Sequence, residues 1–327
     1  MHPRVLALMA SQHGLITFRQ AIGSGVSADQ VARHASRGEW VRVRHGVYAD
    51  GEVWRSLDEY VGRPLLGVRA AHLVLESPHV FSHDSAALLH GMGLFGVASG
   101  LVHVTRPDVR GDRTKAAIKH HGAIFELEQV TTAGGLPCLD LARTSVDIAR
   151  EHGLTAGVAA CDHALRVGVP RGDLLLAYEA MWSWPYVTTV REVVELADGG
   201  SDNAAESAAR VLVHELGIGR PETQFGLTDV GRTVWCDLRV GRHIFEFDGR
   251  AKYGVDPDAA RSAVWAEKKR QDFICGFKLG MSRITYVDLH ADRATARDRL
   301  AREYADTEAR FGSAIEDLAP YIVRRRH

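Results

Sequence analysis

The chain is 327 residues long, enough for about two domains of ~100–200 residues, each with a buried core. Hydrophobic residues make up 46% and charged residues 25%, which excludes a disordered or fibrous protein. Lys and Arg total 40 against 41 Asp and Glu, so no global positive field exists and nucleic-acid affinity must come from local patches.

The longest apolar run near the start, Val5 to Ala10, is too short to span a bilayer and carries no signal-peptide cleavage pattern. Cys138, Cys161, Cys236 and Cys275 lie far apart, without a Cys-x-x-Cys zinc pair or a dense disulfide framework. A cytosolic chain without membrane spans is expected. Turn formers at Ala49-Asp50-Gly51 and at Asp198-Gly199-Gly200-Ser201-Asp202-Asn203 divide it into 1–50, 51–197 and 198–327.

Residues 1–50 read as three helices and a hairpin. Arg4 to Ser11 is amphipathic, and Thr17 can cap a helix over Phe18 to Ile22. Ser27, with Gln30 three residues on, caps Ala28 to Ser36. The run Glu39 to Tyr48 alternates and turns at His45-Gly46, as a small wing does. This is the order of a winged helix-turn-helix. Arg4, Arg19, Arg33, Arg37, Arg42 and Arg44 face only Asp29, Glu39 and Asp50, so the segment is locally positive. Arg33 and Arg37 lie four apart on the expected recognition helix, positioned for a major groove. Arg42 and Arg44 share one face of the wing, positioned for phosphates.

Residues 51–197 read as α+β. Strands are expected at Leu101 to Thr105 and Ala123 to Leu127. Helices are expected at Ser82 to His90, Leu139 to Arg150, Thr155 to Val167, Gly172 to Trp182 and Thr188 to Leu196. His83, Asp84 and Ser85 are consecutive on a helix, point in different directions and cannot form a catalytic relay. His120-His121 has no carboxylate or cysteine partner at ligand spacing, so a structural role is expected here.

The third segment carries the chemistry. Val234 to Val240 and His243 to Asp248 are strand-like runs separated only by Gly241-Arg242, the sequence of a type II′ hairpin turn. That turn sets Val240 against His243 and Asp237 against Glu246, with Asp248 on Glu246's face. The opposite face collects Cys236, Leu238, Phe245 and Phe247. Three carboxylates within ~5–8 Å on one face repel one another, and a divalent cation such as Mg²⁺ or Mn²⁺ removes the conflict. Glu206 sits on a helix opened by Ser201-Asp202, either as a further metal ligand or as an exposed helix residue. A helix from Pro257 to Phe277 carries Glu267-Lys268-Lys269-Arg270, and a strand over Arg283 to Val287 closes an α/β core. A metal-bound water in such a core could attack a phosphodiester.

Two resemblances follow. The stretches "GLITFRQAIGSGVSADQVARHASRGEWVRVRHGVYA", "HDSAALLHGMGL" and "GLPCLDLARTSVDIAR" resemble AbiEi-type antitoxins of abortive-infection, type IV toxin–antitoxin systems, over about residues 3–170. The resemblance implies a winged-helix DNA-binding head that represses its own operon, an antitoxin-type domain and a cognate toxin. From about Ala204 to Leu289, "CDLRV", "FEFDGRAKYG" and "WAEKKRQDFICGFKLGMSRITYVDL" are similar to PD-(D/E)xK endonuclease-like proteins related to very-short-patch-repair enzymes. This second resemblance implies that Asp237 and Glu246 bind Mg²⁺ or Mn²⁺, with Glu206 as the acidic residue of the first helix. The superfamily's lysine would stand at position 248, where this chain has Asp248, leaving Lys252 or Lys268 to supply the positive charge.

The expected architecture is α/β and multidomain: a winged helix, a central α+β domain and a C-terminal restriction-endonuclease-like core. The expected function is metal-dependent nucleic-acid cleavage in phage defence or a toxin–antitoxin context. The alternative is a transcriptional repressor and antitoxin whose nuclease fold is inactive. DNA is the expected partner beside the toxin, with a homodimer left open.

Overall fold

A computed structural model of the chain describes residues 2–97, 100–179, 181–249 and 257–324. Two compact units are present, one of residues 1–92 and 97–151, the other of residues 93–96 and 152–327.

The first unit begins with Pro3–Ser11 (α1), Leu15–Thr17 (β1), Phe18–Gly23 (α2) and Ala28–Ser36 (α3). Thr17 with Gln20 and Ser27 with Gln30 form reciprocal capping boxes, which satisfy the first amides of α2 and α3. Trp40–Arg44 (β2) and Val47–Asp50 (β3) make the wing, and β1 joins it in the order β1-β3-β2. Three residues are too few to show alternation, which is why β1 has no counterpart in the sequence reading. Val5, Met9, Ile16, Ala21, Val26, Val31 and Trp40 form the core beneath the helices. Full burial of each larger side chain contributes ~1.5–3 kcal/mol.

Gly51–Ser56 (α4) and Gly62–His72 (α5) follow, and Leu66 and Ala70 of α5 pack with Leu15, Val47 and Ala49. The helices after the wing therefore continue its core. A six-stranded sheet comes next, from Val80–Phe81 (β4), Val102–Arg106 (β5), Arg113–Lys115 (β6), Ile118–Gly122 (β7), Val130–Ala133 (β8) and Leu136–Leu139 (β9). Its order is β6-β7-β5-β4-β9-β8. His83–Leu89 (α6) and α5 cover one face, where Phe81, Val104 and Cys138 are fully buried. Leu141–His152 (α7) follows β9.

The strand expected at Ala123 to Leu127 lies instead at β7, which pairs in parallel with β5 from Val102↔Ile118 to Arg106↔Gly122. The cause is burial of polar residues. His120 and His121 are buried in β7, while Ile124 is 72% and Leu127 81% exposed.

The second unit opens with Leu154–Arg166 (α8), Arg171–Glu179 (α9), Val187–Leu196 (α10) and Ala204–His214 (α11). Glu222–Asp229 (β10), Arg232–Val240 (β11) and His243–Asp248 (β12) then run antiparallel. Pro257–Gly276 (α12) crosses to Gly280–Thr285 (β13), which pairs in parallel with β12. Arg293–Phe311 (α13) and Ile322–Val323 (β14) complete the sheet order β13-β12-β11-β10-β14. Residues of α11 and α13 (Leu212, Val213, Leu300) cover one face, while Ile274 of α12 and Leu318 cover the other.

Helix α13 is absent from the sequence reading because its sequence is so heavily charged. Its buried residues Ala296, Leu300, Tyr304 and Thr307 nevertheless recur every three or four positions.

A buried ion pair ties this unit together. Arg210 of α11 donates Nη2 to both oxygens of Asp162 on α8, at 2.7 and 2.6 Å, and Nη1 to Leu196 O at 2.5 Å. The amide of Asp198 adds a bond to Asp162 Oδ1 at 2.7 Å, closing the connection between α10 and α11. Removing one partner leaves an uncompensated charge in the core. Asp162→Ala is expected to cost ~3–5 kcal/mol in urea unfolding, with the midpoint moving and the slope unchanged.

Candidate nucleic-acid interface and carboxylate hairpin

The capping box at Ser27 starts α3, Arg33 follows on its C-terminal half and Arg37 is its C-cap, both exposed. Arg33 Nε makes a 3.4 Å contact with Asp29 O, and Arg37 lies 3.8 Å from Glu39. Both guanidinium groups remain largely in solvent, where such contacts are weak and exchangeable.

Arg42 and Arg44 part company. The β2–β3 register slips between them, from Arg42↔Tyr48 to Arg44↔Val47, so period-two alternation fails at Val43. Arg42 stays exposed. Arg44 is half-buried, donates Nη2 to Ala116 O at 2.8 Å, and burial lowers its pKa. The shared face expected of this pair is thus corrected: Arg42 is available to a ligand, and Arg44 is anchored to the protein.

The carboxylate hairpin turns as its sequence requires. Gly241 has φ 53° and Arg242 does not enter the positive region, the signature of a type II′ turn. Val240↔His243, Arg239↔Ile244 and Leu238↔Phe245 pair in the expected register. At Asp237 the regularity breaks. Towards β10 the register is the same at Thr223↔Leu238 and at Phe225↔Cys236, but Gln224 between them has φ 49°. Towards β12 the Asp237 carboxylate, rather than its backbone, accepts from Phe247 N–H at 2.8 Å.

The break moves Cys236 to the other face. Leu238, Val240, Phe245 and Phe247 pack under α11 and α13 as expected, but Cys236 joins Val234, Ile244 and Ile274 on the α12 side. Simple alternation cannot register a distortion centred on one residue.

Each carboxylate has its own partner. Both oxygens of Glu246 accept from Arg270 of α12, at 2.6 and 2.5 Å, and Arg270 Nη2 also donates to Trp235 O at 2.8 Å. Asp248 lies 3.7 Å from Arg283, which also donates to Glu267 at 2.7 Å. Glu206 accepts from the Asp202 amide at 2.7 Å and from Asn203 Nδ2 at 2.6 Å. The cap of α11 is Asn203, one residue beyond the expected Ser201-Asp202, and Glu206 reaches back over the helix start. Lys268 is exposed, its amine 5.8 Å from the centroid of the Trp265 ring, and Lys252 lies outside the described residues.

Asp237 carries the unresolved charge. Burial first, then the neighbouring Glu246 and Glu206, push its carboxyl up to about 7. Arg270 is the residue that the sequence alone does not single out. Its signal was a basic position three residues after Glu267 on a helix facing an acidic strand, but Lys268 and Lys269 beside it gave the same signal.

Comparison with known proteins bears on the segment that carries Arg33, Arg37 and Arg42. Residues 3–49 match the family model of a transcriptional regulator, the AbiEi antitoxin. The N-terminal segment is similar to an AbiEi antitoxin. The match spans α1 to β3, the three helices and the wing that carry Arg33, Arg37 and Arg42. Over 212 residues the chain is also 28% identical to uncharacterized proteins from two strains of Mycobacterium tuberculosis, covering 64% of this chain and 73% of theirs. No helix among the described residues is long and apolar enough to cross a membrane.

The donor set of the hairpin does not fit Mg²⁺ or Mn²⁺ in this arrangement. A divalent ion needs several free carboxylate oxygens converging on one point. Both Glu246 oxygens are held by a guanidinium, and both Glu206 oxygens close a helix cap. The cation that relieves the hairpin's repulsion is Arg270.

The raised pKa of Asp237 has a definite sign. A carboxyl that ionises near 7 when folded and near 4 when unfolded stabilises the fold below about pH 4, and this contribution is lost as pH rises through 7. Asp237→Asn keeps the acceptor for Phe247 N–H and removes the charge. At pH 8 it is expected to stabilise the protein by ~1–3 kcal/mol, with the difference vanishing near pH 4 when thermal unfolding is followed across that range.

Proposed function

We propose that the protein is a DNA-binding transcriptional regulator of the antitoxin type, with a nuclease-like C-terminal fold that does not cleave phosphodiesters. The observation that carries this reading is the coincidence of the antitoxin-regulator match with a capped helix and wing presenting Arg33, Arg37 and Arg42 to solvent. The helix supplies side chains of the right length for base edges in a major groove, and the wing supplies a cation for the adjacent phosphate. The DNA is the control region of the protein's own operon, and the remaining partner is the cognate toxin.

The order α11-β10-β11-β12-α12-β13 supports a nuclease-like ancestry for the second unit. Arg270 across Glu246, and Asp248 in place of the superfamily's lysine, support loss of cleavage. Hydrolysis needs a positioned cation beside the attacking water and the scissile phosphate. Here the guanidinium already takes the oxygens that such an ion would use.

Binding of the full chain to its promoter DNA, followed by fluorescence anisotropy across a salt titration, tests the first half. The double variant Arg33→Ala/Arg37→Ala is expected to lose about 10-fold or more in affinity, and Arg42→Ala to reduce the salt slope by ~0.9. Arg44→Ala should bind as wild type does, because its guanidinium is held by Ala116. Equal loss on substituting Arg44 would remove the distinction drawn within the wing. Incubation of the same protein with duplex DNA, single-stranded DNA and RNA under Mg²⁺ or Mn²⁺ tests the second half. Cleavage that disappears in Asp237→Ala would establish an endonuclease instead.

A further inference from the structure

We propose that His83, His103 and His121 form a binding site for one divalent transition-metal ion of the zinc class. The three lie on different elements, at the start of α6, in β5 and in β7, and all are buried. One ligand atom from each comes within 4.8 Å of the others.

Each ring has an oxygen partner on one nitrogen. Asp112 Oδ2 lies 3.1 Å from His121 Nδ1, and Asp84 Oδ2 lies 3.5 Å from His103 Nε2. Ser82 Oγ lies 3.0 Å from His83 Nδ1. The opposite nitrogens of the first two rings, His121 Nε2 and His103 Nδ1, are 3.0 Å apart. That separation is close to the ~3.3 Å edge of a tetrahedron built with Zn–N bonds of ~2.0 Å. A carboxylate behind a ligating imidazole is the arrangement that fixes its tautomer and strengthens it as a ligand.

Counting protons favours the ion. The line Asp112–His121–His103–Asp84 contains three close contacts between lone-pair atoms, and two neutral imidazoles supply only two N–H groups. With a cation on His121 Nε2 and His103 Nδ1, one N–H goes to each carboxylate and every contact is satisfied. Three neutral nitrogen donors suit zinc better than the oxygen-seeking Mg²⁺ or Mn²⁺.

The backbone is shaped to bring the third ring in. His83 has φ 49°, an unfavourable conformation for a residue with a Cβ, at the first position of α6. Its ring stacks on His121 with centroids 3.7 Å apart, and ligation requires it to tilt out of that stack. Lys119 lies 3.7 Å from Asp112 but is engaged at 2.5 Å by Glu151, which leaves the Asp112 carboxylate to serve His121. The ion would clamp α6 to β5 and β7 in the unit that also carries the winged helix.

The test uses tag-free full-length protein stripped with a chelator, then titrated with Zn²⁺ against a chromophoric competitor and with Co²⁺ in the visible spectrum. One ion per chain and a tetrahedral Co²⁺ spectrum are expected, with a zinc-dependent rise in the unfolding temperature. His103→Gln and His121→Gln should lose both the ion and that rise. Should either variant fail to fold, Asp112→Asn decides, because its half-exposed carboxylate tolerates replacement. It is expected to weaken zinc binding by about 10–100-fold while circular dichroism stays native. A wild-type chain that takes up no zinc, folded variants that bind as tightly as wild type, or binding lost in Asp237→Asn would each overturn the proposal.

Discussion

Three carboxylates taken out of water in this chain, Asp147, Asp162 and Glu246, are each met by a guanidinium, and these meetings fix the elements around them. Asp162 and Arg210 join α8 to α11 and hold the carbonyl and amide of the intervening connection. Arg143 and Asp147 pair within α7 at 3.1 Å, both nearly inaccessible. Arg270 binds Glu246 and the Trp235 carbonyl together, which locks α12 onto two strands. The planar fork of arginine matches two carboxylate oxygens at once, and its charge persists at any physiological pH. Only six of the 40 basic residues are lysines, so the composition itself favours this mode of burial.

The same constraint acts on the acidic residues of the second unit. Acidic residues at Asp237 and Glu246 invite a metal ion when seen as a sequence, since two facing carboxylates repel. Two kinds of cation can relieve that repulsion, a bound ion or a fixed side chain. Here Arg270 fills the place, Glu206 turns back to its own helix, and Asp237, buried and beside the remaining negative charge, holds its proton more tightly. A metal-dependent active site would need those oxygens free, whereas the proposed regulator needs only the fold they stabilise.

In the first unit imidazoles are buried as well as carboxylates. His83, His103 and His121 occupy positions where aliphatic side chains would ordinarily complete the sheet and its covering helix. Buried Asp84 and half-exposed Asp112 stand behind two of them, which makes a polar network that runs from the core to the surface. Such a network stabilises one conformation only if every donor and acceptor is satisfied.

Local signals in the sequence were enough for the head and for the turn of the hairpin. Thr17, Gln20, Ser27 and Gln30 determined where two helices start, and Gly241-Arg242 determined the register at Val240↔His243. These features depend on residues within four positions of one another, so their geometry is written in the chain directly. Tertiary structure decided the rest. Whether Arg44 stays in solvent depends on Ala116, 72 residues away, and the state of Glu246 depends on Arg270, 24 residues away. The side on which Cys236 packs depends on a distortion where β10 and β11 meet, and the meeting of the three histidines depends on a parallel pairing between β5 and β7. Charge, burial and coordination are set by what lies across from a residue in space, and spacing along the chain does not contain that information.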